Sequence, residues 1–341
     1  MCPAAGGRSP PPENGAPSPR GTHRKKECLI TVAKLSIQLV LMVSIGVFAV
    51  KKRVVYGDFQ KQLVSFVMTL VLPCLIINSM TGAFSVEELK NCGLLLVISA
   101  AMWVLSFALG QAVHALLGKT STARILRYSV IYTNFTFVGI PVFEALYGEK
   151  GVFYLMVFIV PYRVMYYLTS EALLTPAGLL RKDRSRKEQL KEIFSPPLVA
   201  VIVGLFLYLT QIPLPSPLAG AIKSLSGCAS PLGMILCGMS IARYDFKTLL
   251  KPKYVWLPML RNLLVPAIFT ALALLFRIPA ELASIAITFS ALPVASLLAT
   301  FTIQYDPNQE AQFEAAATVL FSTVFTVFTI PLWAAVLSRI Y

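Results

Sequence analysis

Long apolar stretches alternate with short polar connections along most of this chain. A bilayer core about 30 Å thick is crossed by roughly 20 apolar residues in a helix, and most of these stretches reach that length. The pattern predicts ten membrane spans, near residues 29–50, 62–83, 92–117, 125–147, 151–174, 196–211, 217–242, 254–276, 281–304 and 311–338. We therefore expect an all-α integral membrane protein with ten transmembrane helices.

Two polar segments interrupt this series and indicate the domain organisation. Residues 1–27 are rich in Pro, Gly and small polar residues, which favours a disordered tail rather than a signal peptide. Residues 175–195 form a basic loop with five predicted spans on each side, in 28–174 and 196–341. Because each half has an odd number of spans, the second half starts on the opposite side of the membrane. This arrangement is the 5+5 inverted-topology repeat of many secondary transporters.

Prolines at corresponding positions support the repeat. Pro141 in the fourth predicted span matches Pro293 in the ninth, as GIPVFEAL against ALPVASLL. Two further pairs occur in the second and seventh spans and in the fifth and tenth spans, Pro73 with Pro231 and Pro161 with Pro331. A proline inside a span lacks an N–H and clashes with the carbonyl of the preceding turn. We therefore expect the fourth and ninth helices to be broken near the midplane, the alternative being ordinary kinks.

Composition and charge agree with a lipid environment. Hydrophobic residues make up 56% of the chain and charged residues 13%, whereas soluble domains contain about 25% charged residues. The formal net charge is +14, but the odd-numbered connections carry 17 Lys and Arg residues and the even-numbered ones carry 3. The excess thus indicates topology rather than nucleic-acid binding. By the positive-inside rule, the loop at 175–195 is cytoplasmic and both termini lie outside, in a multi-pass protein of the plasma membrane.

The cysteines and histidines do not form the pattern of a metal site or a disulfide framework. Six cysteines are scattered singly, and the chain has two histidines. We expect no metal and no cofactor. Ser–His, paired Asp and HExxH arrangements are also missing from the predicted spans, which argues against a membrane enzyme.

The residues around the two proline breaks are of the types that bind an anion. A break leaves a helix N-terminus at mid-membrane, where N–H groups and the positive end of the helix dipole favour a carboxylate. The candidate binding residues near the breaks are polar, small or proline, namely Thr133, Asn134, Gly139, Pro141, Ser290 and Pro293. Asn134 is either a donor to a carboxylate or a polar bridge between helices.

Charged residues inside spans are costly and tend to be functional. Arg163 lies near the middle of the fifth span, and its guanidinium suits bidentate binding of a carboxylate. The alternative is a structural ion pair with Glu171 or Glu144. These two glutamates are also candidates to carry a coupling proton, with a plain ion-pair role as the alternative. Arg261, near the cytoplasmic end of the eighth span, is expected to be a structural anchor.

Four segments together resemble the auxin efflux carrier family. NFTFVGIPVFEALYG at 134–148 resembles the family's fourth-helix signature, in which an Asn precedes a Gly-Ile/Leu-Pro break. The other three are LPCLIINSM at 72–80, MLRNLLVPA at 259–267 and ALPVASLLATFTIQYD at 291–306. The resemblance runs from about residue 30 to 341. The family includes the plant PIN auxin exporters and bacterial permeases for malonate or malate.

The resemblance implies a ten-helix inverted repeat with scaffold and transport regions, crossing broken helices 4 and 9, and homodimers. It places Asn134, Pro141 and Pro293 at the substrate site. The chain also departs from the plant exporters, which have a Ser in place of Ile76 and a long central loop in place of 175–195. Arg163 is not expected from the plant members and favours a more highly charged acid.

These observations predict a secondary transporter or facilitator for a small organic anion. The substrate is a mono- or dicarboxylate, malonate- or malate-like or auxin-like, which binds where helices 4 and 9 meet and moves by alternating access. A hypothesis of a different class is a ligand-sensing receptor or a channel that uses the same fold.

Overall fold

The computed structural model describes residues 37–38, 41–81, 86–176, 196–242 and 252–341, and almost all of them are helical. In these residues we number the helices α1 (Leu41–Lys51), α2 (Phe59–Ser79), α3 (Val86–Leu117), α4 (Ser121–Ile131), α5 (Ile140–Leu174), α6 (Pro196–Thr210), α7 (Ser216–Ser226), α8 (Ala229–Ala242), α9 (Pro252–Leu275), α10 (Ala280–Ala291), α11 (Leu297–Tyr305) and α12 (Gln309–Ile340). The predicted tail at 1–27 and most of the predicted loop at 175–195 lie outside the described residues.

Helix α5 is a hairpin of two arms, which turns at Gly148. This glycine has φ 68° and ψ −160°, a left-handed conformation that side chains other than glycine rarely adopt. The rings of Phe135, just before α5, and Tyr166, near its end, lie 6.4 Å apart. A straight helix would separate these residues by about 46 Å at 1.5 Å per residue. The turn thus falls where the sequence predicts the connection between the fourth and fifth spans.

Several helices have the length and composition of membrane spans. Within the described residues, four helices pass this test (α2, α3, α9 and α12), and the count is five if the bent pair Phe135–Tyr166 and Leu168–Leu174, which includes the hairpin, is taken as one span. The most apolar stretches of these four are only 28–44% buried inside the protein. Apolar side chains such as Val97, Val104 and Phe328 therefore remain at the surface, where a lipid environment is favourable. The count of ten spans stays a prediction.

The helices pack in two groups, which meet next to the interruption between α4 and α5. In one group, α2 packs against α6 and α7. In the other, α3 packs against α4 and α5, and α12 packs against α9, α10 and α11. Helix α8 contacts α5 and the π-helical turn Phe135–Gly139 that precedes it. This contact joins the two groups next to the interruption between α4 and α5.

Helices α1 and α8 approach each other through two glycines. A Cβ built on Gly238 would overlap the carbonyl oxygen of Val43, and a Cβ on Gly46 would overlap the carbonyl oxygen of Ile235. Small residues allow such close backbone contact between membrane helices, where packing replaces the hydrophobic driving force. The described part of α1 is thereby held against α8.

Candidate functional site at two helix breaks

The first break lies between α4 and α5, at Tyr132–Asn134. Helix α4 ends at Ile131, and Asn134 has φ −81° and ψ 69°. The Asn134 side chain caps the following π-helical turn, because its Oδ1 accepts from the Phe137 N–H at 3.1 Å. The Asn134 carbonyl oxygen accepts from the Gly139 N–H at 2.9 Å. Asn134 thus ends one helical segment and starts the next.

Pro141 occupies the first turn of α5, as predicted, but the non-helical residues precede it by two turns. The π-helical turn Phe135–Gly139 lies between the break and Pro141. Gly139 packs against α10's end, since a Cβ there would lie 2.9 Å from Cδ1 of Leu292. Gly233 of α8 packs against the carbonyl oxygen of Phe137, since a Cβ built on Gly233 would lie 3.1 Å from this oxygen. That carbonyl lies four residues before Pro141, whose missing N–H leaves it without its α-helical donor.

The second break lies between α10 and α11. Helix α10 ends at Ala291, Leu292 is extended with φ −61° and ψ 152°, and α11 starts at Leu297. Pro293 lies inside this break, as the sequence predicts. Its ring removes one backbone donor from a segment that has left the helix. Both breaks are buried in the protein.

The two breaks are hydrogen-bonded to each other. The Asn134 N–H donates to the Pro293 carbonyl oxygen at 2.7 Å, and the Ala295 N–H donates to the Tyr132 carbonyl oxygen at 3.2 Å. These bonds form an isolated antiparallel bridge between Thr133 and Val294. The two segments therefore run in opposite directions where they meet.

Helices α9 and α12 supply further partners for the broken backbone. Arg261 of α9 donates to the carbonyl oxygens of Ser129 and Leu292. The Val294 N–H donates to Oγ of Ser322 in α12 at 3.2 Å. The backbone groups of Ser129, Leu292 and Val294 next to the breaks are thus paired inside the protein, as a lipid environment favours.

A small cavity lies beside the paired breaks. Its lining includes Thr133, Asn134, Arg163 and Tyr166, and it measures about 40 Å³. Among the described residues, Nδ2 of Asn134 and Oγ1 of Thr133 have no hydrogen-bond partner, although both atoms are buried. Buried polar atoms are nearly always paired in proteins. Two unpaired polar atoms in the same cavity wall therefore indicate a place for a polar ligand.

Arg163 also lines this cavity. Its side chain is 6% exposed, and its guanidinium lies 5.6 Å from the centre of the Phe135 ring. Tyr166 packs edge-on against Tyr132 with ring centres 5.0 Å apart. Phe301 of α11 lies 5.8 Å from Tyr166. The cavity thus combines one buried cation with aromatic walls.

The remaining predicted residues lie around the breaks rather than in the cavity wall. Ser290 is buried in α10, and its hydroxyl donates to the Ile287 carbonyl oxygen at 2.7 Å. Glu144, in the first arm of α5, accepts a hydrogen bond from Ser230 of α8. Glu171 lies in the last turn of α5, where its carbonyl oxygen accepts from the Thr175 N–H. The structure brings together Thr133, Asn134 and Arg163, and it does not place Ser290 or the glutamates in the same wall.

Sequence reasoning missed several residues of the site. Arg261 was expected to be a structural anchor near the cytoplasmic end of its span, but its burial against both breaks was not predicted. Its charge inside an apolar run was the available signal. Ser129, Asn262 and Ser322 gave no signal, because isolated small polar residues are ordinary in membrane helices.

Comparison with known proteins identifies a family that this chain matches. The sequence profile of a family described as "Membrane transport protein" matches residues 31–334. Among the curated proteins, no sequence matches the chain. The profile covers both breaks and every residue of the cavity wall.

Proposed function

The chain belongs to the family of membrane transport proteins that includes the auxin efflux carriers, and from this premise we propose a secondary transporter or facilitator for a small organic anion. The substrate is a mono- or dicarboxylate, malonate- or malate-like or auxin-like. The observation that carries this proposal is the cavity at the paired breaks, which is lined by both the buried amide of Asn134 and Arg163.

The chemistry of this cavity favours a carboxylate. The π-helical turn Phe135–Gly139 and helix α11 both begin at the breaks, so two N-terminal ends face the region. Such ends attract anions through their N–H groups and helix dipoles. Asn134 Nδ2 and Thr133 Oγ1 each bring one further donor. Arg163 contributes a full positive charge, which can pair directly with one carboxylate of the substrate. This charge therefore favours a mono- or dicarboxylate over a neutral ligand.

Alternating access agrees with the size of the cavity. A volume of about 40 Å³ holds only a few water molecules, whereas small-molecule pockets measure about 300–1,000 Å³. We propose that the cavity opens when the two helix groups move relative to each other. The contacts that must change include Ser230 with Glu144 and the packing of Gly233 against Phe137.

The architecture that we propose is the ten-helix 5+5 inverted repeat, with helices 4 and 9 broken and crossing at the midplane. The antiparallel bridge between Thr133 and Val294 supports it, because inverted repeats bring matching spans together in opposite directions. The termini lie outside the plasma membrane and the loop at 175–195 is cytoplasmic. Homodimer formation remains part of this proposal through the family resemblance.

Proton coupling is assigned to Glu144 in preference to Glu171. Glu144 lies at the boundary between the helix groups, where Ser230 of α8 donates to its carboxylate. A carboxylate at a moving contact changes its surroundings during transport, and gain or loss of a proton is then linked to the movement. Glu171 lies at the distal end of α5, away from the cavity wall.

Counterflow in proteoliposomes tests the proposal. Vesicles are loaded with unlabelled malonate, malate or indole acetate, and uptake of the same labelled acid is measured from a dilute external solution. A carrier gives a transient accumulation above equilibrium for at least one of these acids. A receptor gives no flux, and a channel gives flux without accumulation; either result would remove the carrier assignment.

A further inference from the structure

Arg261 is a buried cation between two interrupted helices. It lies in α9, its side chain is 4% exposed, and its Nε donates to the Ser129 carbonyl oxygen at 2.9 Å. Its Nη1 donates to the Leu292 carbonyl oxygen. Ser129 lies in the last turn of α4, and Leu292 directly follows α10. One guanidinium therefore bonds the C-terminal ends of both helices that stop at the breaks.

The C-terminal ends of helices carry partial negative charge. The last four carbonyl groups have no intrahelical donor, and the macrodipole places about half an elementary charge there. In transporters with broken helices, unwound carbonyls and half-helix C-termini form the binding places of coupling sodium ions. In this chain the equivalent carbonyls are bonded to an arginine of the protein itself.

We propose that Arg261 is a positioning residue and a built-in cation, which takes the place of a coupling sodium ion at the paired breaks. It neutralises the ends of α4 and α10 and holds them at a fixed separation. The hydrogen bonds between the two breaks, from Asn134 to Pro293 and from Ala295 to Tyr132, are then maintained. A coupling sodium ion consequently does not bind at the Ser129 and Leu292 carbonyls; this consequence rests on the proposed carrier function.

Neighbouring side chains hold the guanidinium in this position. Oδ1 of Asn262 accepts from Nη1 of Arg261 at 3.2 Å. Nδ2 of Asn262 donates to the Ser322 carbonyl oxygen at 2.9 Å, and the Ser322 hydroxyl accepts from the Val294 N–H. Helices α9 and α12 and the second break are thereby linked through one network. The guanidinium is fixed through Nε and Nη1, and its Nη2 has no hydrogen-bond partner among the described residues.

Replacement of Arg261 by Lys and by Gln separates charge from hydrogen bonding. Lys keeps the positive charge but loses the planar fork, whereas Gln keeps a neutral amide donor. The melting temperature Tm of each purified variant is measured in detergent. We expect Arg261→Gln to lower Tm by about 5 °C or more, and Arg261→Lys to lower it by roughly half as much. The matched control is Arg277, which is exposed at the end of α9, where Lys and Gln should have equal, small effects.

The same measurement is made on the unmodified chain in NaCl, KCl and choline chloride at equal ionic strength. We expect one Tm in all three salts, because the carbonyl site is already occupied by Arg261. A Tm specifically raised by sodium, or a Gln variant at position 261 as stable as the Lys variant, would overturn the proposal. If neither variant folds, a Tm of the unmodified chain that rises specifically in sodium would still overturn the proposal. None of these measurements needs a substrate, so their outcome is separate from that of the counterflow assay.

Discussion

The backbone N–H of Asn134 donates to the carbonyl oxygen of Pro293 over 2.7 Å, and this bond joins interruptions from the two halves of the chain. A second hydrogen bond runs from the Ala295 N–H to the Tyr132 carbonyl oxygen. Together the two bonds replace backbone hydrogen bonds that each helix loses at its end. A helix break inside a membrane persists only when protein supplies such partners. The pairing therefore explains how two broken helices leave N–H groups and side-chain donors for a ligand near the same cavity.

Removal of the charge at Arg163 should weaken substrate binding. A hydrogen bond to a charged group contributes about 1.5–3 kcal/mol, so Arg163→Gln should raise the KM for malonate by roughly tenfold or more. The increase should be smaller for indole acetate, which carries one carboxylate. KM is measured by uptake into proteoliposomes, with Arg277→Gln as the surface-charge control. An unchanged KM for malonate would exclude Arg163 from the site.

Replacement of Glu144 by Gln should uncouple transport from protons. The amide keeps the shape of the carboxylate at Ser230 but cannot carry a proton. An inward proton gradient should stimulate uptake by the unmodified chain and leave the variant unaffected. Glu149→Gln, an exposed change five residues away, should retain the stimulation. Equal stimulation of both variants would argue that Glu144 only bridges α5 and α8.

Gly238→Ala should destabilise the protein because the two backbones of α1 and α8 leave no space. The added Cβ would overlap the Val43 carbonyl oxygen, and overpacking costs about 1–3 kcal/mol. Gly93→Ala is the matched control, since a Cβ there has no neighbour within 4 Å. In a helix this control should stabilise by about 0.5–1 kcal/mol. Thermal unfolding in detergent measures both, and equal Tm values would show that α1 and α8 are farther apart.

The pair between Arg124 and Asp306 should stabilise the junction of α4 and α11. Their side chains lie 2.5 Å apart and are 12% and 3% exposed. Removing one member of a buried pair leaves an uncompensated charge, so Asp306→Asn should cost about 3 kcal/mol. Glu310→Gln breaks the more exposed pair with Lys253 and should cost less than about 1 kcal/mol. A double variant with Arg124→Gln whose loss of stability equals the sum of the two single losses would contradict the coupling.

Proline at matching positions of the two halves indicated both breaks, although Pro161, Pro258, Pro266 and Pro331 lie inside continuous helices, so proline alone does not decide where a helix stops. Pro293 lies inside its break, and the turn at Gly148 falls between the predicted fourth and fifth spans. The first break was placed too close to Pro141. Its position is set by the cap from Asn134 to Phe137 and by the bond to Pro293. The bond to Pro293 is a contact between distant parts of the chain, which a local pattern does not encode.

The buried role of Arg261 could not be predicted for a related reason. A charge in an apolar run indicates a costly and functional residue, but it does not indicate its partners. Those partners are the backbone carbonyls of Ser129 and Leu292, which become available only because their helices end. The side chains of Thr133 and Asn134, by contrast, were candidates from the sequence, and both line the cavity beside the break.

We propose that the amide of Asn134 binds the substrate carboxylate at the paired breaks. Counterflow of the acid that the unmodified protein transports is compared in three forms: unmodified, Asn134→Ala, and Asn91→Ala as a matched change in α3, where Asn91 donates to Tyr154. We predict loss of at least about 90% of flux in Asn134→Ala, since a lost donor to a charged group costs at least about 1.4 kcal/mol, and near-normal flux in Asn91→Ala. Equal flux in all three, from folded protein, would contradict the account.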